Sequence, residues 1–214
     1  MTDPRGILAI FSKPPRPGEV KRRLIPTLGE SGAAALYRRM LEYTLAKAST
    51  SGFAAVDLWC TDSGDAEVRR LAAGQGVRLQ QQTGADLGQR MANALTVTLA
   101  RARFAVLIGC DCPALTAEDL RRTSGWLRSG ADAVIGPASD GGYYLIALRR
   151  PLLDLFTDIA WGTDQVLEET RTRLRHASVT WHELPEYHDI DRPEDLQYLP
   201  ADMDWGLPEN CAAR

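Results

Sequence analysis

The sequence predicts an α/β fold: a single-domain three-layer sandwich over residues 1–199 with a mostly parallel central sheet, followed by an irregular tail over 200–214. Short β-type runs alternate with longer helical ones along the chain, the order in which strand–helix–strand units build a parallel sheet. Several of the short runs are continuously apolar, as strands covered on both faces must be. With 214 residues, 44% of them hydrophobic, the chain can bury one ordinary core, and no linker, repeat or low-complexity stretch divides it.

The strands follow in order at Ile7 to Ser12, Ala55 to Cys60, Val77 to Gln81, Phe104 to Gly109, Ala133 to Gly136, Tyr143 to Leu148 and Val179 to Leu184. Helices are expected between them where a capping side chain precedes a periodic segment. Ser31 stands before Gly32 to Ala48, Asp86 before the stretch to Ala102, and Thr163 before Asp164 to Arg175. Thr116 has Asp119 three residues on, the spacing of a capping box. Gly76 and Gly130 sit where helices should stop, and Pro193 opens a short last helix to Leu199. Beyond Pro200 no periodicity remains, with Trp205 the one side chain suited to pack the tail.

Charge and composition exclude several classes of function. Lys and Arg number 25 against 28 Asp and Glu, a net charge of −3, so no general positive field exists to hold nucleic acid or an anionic membrane. The first apolar run, Ile7 to Phe11, is too short for a secretory segment or a membrane span, and the expectation is a soluble, cytoplasmic protein. Cys60, Cys110, Cys112 and Cys211 have neither disulfide-scaffold density nor zinc spacing and read as reduced thiols. His176, His182 and His188 lack the spacing of a helical metal pair.

The glycine-rich signatures of dinucleotide and P-loop sites are absent. After the first strand comes instead a loop from Lys13 to Leu24, with cations at Lys13, Arg16, Lys21, Arg22 and Arg23, a single acid, Glu19, and prolines at 14, 15 and 17. In an open α/β sheet ligands bind beyond the carboxyl ends of the strands. A stiff basic loop there, with Gly18 admitting close backbone approach, suits phosphate oxygens; the plain alternative is a solvated basic loop. Asp111 ends the apolar run from Val106 and is closed by Pro113, which places it to hold Mg²⁺ or Mn²⁺ or simply to form a turn. Asp140-Gly141-Gly142 precedes a strand, either as a ligand-approach loop or as a tight turn. Asp189 and Asp191 stand one residue apart before the last helix, on the same side of an extended stretch, and Asp191 also suits an N-cap with Glu194 at N3. Dense cations and separate strand-end acids together are what a polyphosphate and a divalent ion require.

These segments, together with Gly84-Ala85-Asp86-Leu87-Gly88-Gln89-Arg90-Met91 and Trp161-Gly162-Thr163, resemble in register a bacterial family of GT-A-fold glycosyltransferase-like proteins of the arsenosugar-biosynthesis type. The wider superfamily of nucleotide-diphospho-sugar transferases also contains the molybdenum cofactor and 2-phospho-L-lactate guanylyltransferases. The resemblance implies a GT-A-like fold and a divalent metal, Mg²⁺ or Mn²⁺, on Asp111 and Asp191. It implies that Lys13, Gly18, Lys21, Arg22 and Arg23 face phosphates and that Asp86, Gly88 and Arg90 serve the nucleotide side. Asp140, Gly141, Gly142, Tyr143 and Trp161 would border the acceptor, with Asp111 and Asp140 catalytic. The family usually carries Lys-Thr-Arg-Leu where this chain has Lys21-Arg22-Arg23-Leu24, so the threonine hydroxyl has no counterpart here.

Two reactions suit these residues. In one, an acceptor hydroxyl attacks the anomeric carbon of a nucleoside-diphosphate sugar and the nucleoside diphosphate leaves. In the other, a phosphorylated small molecule attacks the α-phosphorus of a nucleoside triphosphate and pyrophosphate leaves. The resemblance favours glycosyl transfer; five cations favour nucleotidyl transfer. Asp140 is the candidate general base, ahead of His188. A non-catalytic nucleotide-binding domain is the alternative from another class, which the intact acids argue against. The expected partners are a nucleotide or nucleotide-sugar donor and a small-molecule acceptor. Leu152, Leu153, Leu155, Phe156 and Trp161 read as core, with a homodimer surface as the alternative.

Overall fold

Side chains on adjacent strand residues point to opposite faces, and in this chain both faces of the sheet are apolar. The computed structural model describes residues 6–208; Met1 to Arg5 and residues 209–214, Cys211 among them, lie outside the described residues. The strands are β1 (Ile7–Ser12), β2 (Ala55–Cys60), β3 (Arg78–Gln81), β4 (Ala105–Ile108), β5 (Ala133–Pro137), β6 (Tyr143–Leu148) and β7 (Trp181–Glu183), and the helices are α1 (Ile25–Ser49), α2 (Ala66–Gly74), α3 (Leu87–Leu99), α4 (Ala117–Arg128) and α5 (Val166–His176). They form one sheet in the order β3-β2-β1-β4-β6-β5-β7. Only β6 runs against the rest, pairing antiparallel with both β4 and β5.

Leu8, Ile10, Val106 and Ile108 face α1, α2 and α4 in one apolar layer. Ala9, Leu107, Ile135 and Ile146 face α3, α5 and the 3-10 turn Leu153–Phe156 in the other. This is the expected three-layer sandwich. Leu155 and Phe156 belong to its core, while Leu153 is exposed. A third cluster covers the outer side of α1, where Leu36 and Met40 meet Ile190 and Trp205. Trp205 donates to the Pro200 carbonyl at 2.7 Å and packs edge-on to Tyr43, holding the irregular tail in place.

Several boundaries differ from expectation for local reasons. α1 starts at Ile25 with Pro26 in its first turn and is kinked at Gly29 (φ 71°, ψ 166°), so the helix expected from Gly32 is only the part after the kink, and Ser31 does not cap it. α2 ends at the stop expected at Gly76 (φ 63°), but its start is not among the expected helix starts, although its cap is strong: Asp65 accepts from the Glu67 and Val68 amides. α5 starts at Val166 without a side-chain cap; Thr163 instead donates to the Ala160 carbonyl in a turn. The last helix is a 3-10 segment, Pro193–Tyr198. α3 and α4 begin as read, with Asp86 accepting from Gln89 and a Thr116–Asp119 capping box.

The sheet also buries a charge. Asp57, on β2, is fully buried; Arg101, just past α3, donates to it at 2.6 Å, and Arg78 lies 3.9 Å from its other oxygen.

Candidate active site

β1 and β4 lie side by side at the middle of the sheet, so the loops that follow them open at the same edge. A cleft of about 580 Å³ lies there. The amide of Ile190 donates to the Asp111 carbonyl at 2.8 Å, which sews the 189–191 stretch onto the loop after β4. Ile190 is buried in the third apolar cluster, so its neighbours Asp189 and Asp191 turn the other way, into the cleft beside Asp111. The capping role anticipated for Asp191 falls to Asp195, whose carboxylate accepts from the Asp191 and Arg192 amides. The Asp191 carboxylate is thereby left to the cleft, where Arg23 meets it.

The basic loop forms the opposite wall. The Lys13 amide donates to the Tyr37 hydroxyl at 2.8 Å, anchoring the start of the loop on α1. Gly18 sits at φ 78°, a conformation that needs glycine. Arg16 turns away and is held by Asp62 and Asp65 at 2.7 to 3.0 Å, so it belongs to the loop's scaffold. Lys21, only 4% exposed at its side chain, places Nζ 2.6 Å from Asp111 Oδ1, and Arg23 meets Asp191 at 2.5 Å. Lys13 and Arg22 are exposed and make no ion pair among the described residues.

Burial disfavours charge on Lys21, yet contact with Asp111 outweighs it and holds the ammonium above its ordinary range. Asp189 moves in the opposite sense for a carboxylate. Its Oδ1 is buried with no partner; burial, reinforced by Asp111 and opposed by Lys21, pushes its carboxyl up to about 7. The thiols of Cys110 and Cys112 are pushed by burial up to about 12, so they stay protonated; with Cys60 they are free, as expected. Lys47 reaches from α1 to the carbonyls of Pro113 and Leu115 and so braces the loop that carries Asp111. Burial lowers its ammonium to about 8.

Of the residues singled out in the sequence, Lys13, Lys21, Arg22, Arg23, Arg90, Asp111, Tyr143 and Asp191 line this one cleft. Gly18, Asp86, Gly88, Asp140, Gly141, Gly142 and Trp161 are not in its lining. Asp140 is exposed and its Oδ1 accepts from the Gly142 amide at 2.9 Å. Gly141 (φ 86°) is where the turn backs onto Asp164, whose carbonyl oxygen would lie 2.3 Å from a Cβ at 141. A Cβ at Gly88 would fall 2.5 Å from the Phe156 carbonyl oxygen and Trp161 Nε1. Gly88→Ala should therefore lower unfolding free energy by roughly 1–3 kcal/mol through overpacking, measured by urea denaturation; an unchanged midpoint would show that the loop yields freely. Asp189, Gln82, Met91 and Tyr37 also line the cleft and were not singled out as site residues. For Asp189 the signal was present in its spacing from Asp191.

The fold and cleft together define a protein of the nucleotide-diphospho-sugar transferase fold. Residues 44–163 match a family described as uncharacterized protein conserved in bacteria (DUF2064), and the chain belongs to that family; the match does not single out the arsenosugar-biosynthesis type. It is 30% identical to a Desulfovibrio desulfuricans G20 protein provisionally named a nucleotide-diphospho-sugar transferase, over 97% of this chain and 92% of that one, with a TM-score of 0.84. A cytidylyltransferase from Leptospira borgpetersenii shares the fold at 16% identity, over 90% of this chain and 83% of that one, with a TM-score of 0.60. Glucosyl-3-phosphoglycerate synthase from Mycobacterium tuberculosis, in complex with Mn²⁺, UDP and glucosyl-3-phosphoglycerate, does so at 13% identity, over 89% of this chain and 74% of that one, with a TM-score of 0.55. No curated protein matches the sequence significantly. No helix among the described residues is long and apolar enough to cross a membrane.

Proposed function

We propose that the protein is a divalent-metal-dependent transferase that moves a sugar from a nucleoside-diphosphate sugar to a small-molecule acceptor. The observation that carries this reading is the confrontation, across one strand-end cleft, of Asp111, Asp189 and Asp191 with Lys13, Lys21, Arg22 and Arg23. The provisional name of the Desulfovibrio relative supports it.

The acids fit a hard ion: all offer carboxylate oxygens, and Asp189 Oδ1 is buried without a partner beside them. Asp111 and Asp191 would hold Mg²⁺ or Mn²⁺, which when bound stabilises the departing phosphates as a Lewis acid. Lys13 and Arg22 bind phosphate oxygens on the loop that Gly18 turns, and Arg90 serves the nucleotide side from the helix that Asp86 caps and Gly88 seats against Phe156 and Trp161. Tyr143, edge-on to Trp161 at 6.4 Å, and the Gly141-Gly142 turn border the acceptor. Asp140 takes the acceptor proton. Its Oδ2 has no partner among the described residues, whereas Oδ1 shapes the turn. Asp140→Asn keeps an oxygen for the Gly142 amide but cannot act as a base, so kcat should fall about 100-fold or more. A kcat within threefold of wild type, under about 0.7 kcal/mol, would leave Asp140 as a turn-former only.

Nucleotidyl transfer is the second reading. The withdrawal of Arg16 into the scaffold weakens it, while the five cations lining the cleft, Arg90 among them, support it. Calorimetric titration with GTP, CTP, UDP-glucose and GDP-mannose, with and without Mn²⁺, separates the two. We expect a nucleotide sugar to bind more tightly than any triphosphate in the presence of Mn²⁺; the reverse order selects nucleotidyl transfer, and metal-dependent binding without turnover selects a binding domain.

A further inference from the structure

The two acids assigned to the metal are already engaged, and by the loop assigned to the phosphates. Lys21 Nζ lies 2.6 Å from Asp111 Oδ1 and Arg23 Nη1 lies 2.5 Å from Asp191 Oδ2. In agreement, no three acidic, His or Cys side chains among the described residues come together as a ready ion site. A carboxylate neutralised by a side-chain cation attracts a divalent ion weakly, and a cation paired to a carboxylate has fewer donors left for phosphate.

We propose that Lys21 and Arg23 are exchangeable counter-ions that make metal and polyphosphate binding interdependent. Polyphosphate draws the two cations off Asp111 and Asp191, which then accept the metal; metal arriving at the acids releases the cations to the phosphates. Each ligand raises the affinity of the other, as linkage requires. This rests on the reading of the cleft given above. The backbone need not move for the exchange: Leu24 is fully buried and anchors the 3-10 turn Arg22–Leu24, so the side chains alone reorient. The two pairs differ in stiffness. The Arg23 side chain is 64% exposed and free to swing, while Lys21 is buried on a residue in the left-handed conformation (φ 46°) and is the tighter of the two locks.

The test uses the full chain, stripped of metal, and needs no activity. Mn²⁺ binding is followed by the electron paramagnetic resonance of the free ion, and pyrophosphate binding without metal is followed by calorimetry. Lys21→Met and Arg23→Gln should each bind Mn²⁺ alone at least about fivefold more tightly than wild type, within the usual range of coupling between sites. Asp191→Asn should bind metal-free pyrophosphate more tightly, because Arg23 is released. Ion pairs of purely structural role predict instead a lower melting temperature and unchanged Mn²⁺ affinity. Arg23 is exposed, so Arg23→Gln stays folded and informative even if Lys21→Met does not. If wild type binds Mn²⁺ through Asp111 and neither cation variant binds it more tightly, the exchange is overturned and the functional reading stands. If neither wild type nor any variant binds Mn²⁺, both are overturned.

Discussion

Asp111→Asn is expected to lower metal-dependent kcat/KM by about 10³-fold or more, which corresponds to a loss of roughly 4 kcal/mol of transition-state stabilisation. The side chain stands just beyond the central strand β4, pairs with Lys21 and lines the same cleft as Asp189 and Asp191. The substitution has a second consequence, because it leaves the buried Lys21 ammonium without its carboxylate, and the melting temperature should fall as well. Asp191→Asn separates the two effects. Its partner Arg23 lies on the surface, where an ion pair contributes at most about 1 kcal/mol, so activity should drop while the melting temperature stays close to wild type. Steady-state rates with nucleotide sugars and thermal unfolding of the same preparations provide the check. Retention of more than a tenth of wild-type kcat/KM by Asp111→Asn would remove the metal from Asp111.

The second large effect lies far from the cleft. Arg101→Met is expected to destabilise the protein by about 3 kcal/mol, since removing one partner of a buried ion pair strands the other. Asp57 is fully buried and would retain only Arg78, at 3.9 Å. For a chain of this length that loss amounts to a fall in melting temperature of roughly 6–12 °C. Replacing both partners, Asp57→Leu with Arg101→Met, removes the buried charge along with its counter-ion and should recover most of the stability. Calorimetry on the single and double variants tests this; a double variant no more stable than Arg101→Met would show that the pair also positions β2 against α3.

β1, β4, β5 and β6 are legible because burial on both faces leaves a continuous apolar run in the sequence, whereas the edge strands β3 and β7 carry polar, partly exposed residues; β1, β2 and β6 match their expected ends. The cap signals of α3 and α4 were legible because capping is local: a side chain two or three residues away supplies the missing partner. The stop of α2 at Gly76 is legible in the sequence, but its start is not among the expected ones although Asp65 and the spacing of Val68, Leu71 and Ala72 announce it; a nine-residue helix between two strands leaves little periodicity to read. The start of α1 was missed because Gly29 interrupts the pattern, and tertiary packing of Leu24 and Leu36 carries the chain across the kink.

For the site, the sequence by itself determined the ingredients: a stiff basic loop after one strand, an acid at the end of another, and two acids of common orientation on an extended stretch. Local spacing and strand order bring such residues to one edge. Which of them face each other is a property of three dimensions. Only the tertiary structure withdrew Arg16 to Asp62 and Asp65, set Lys21 on Asp111 and Arg23 on Asp191, and left Asp189 Oδ1 buried without a partner. These pairings join residues between 46 and 168 positions apart. Ion-pair strength depends on distance and on burial, and for partners so remote in the chain both are decided by the packing of the sheet.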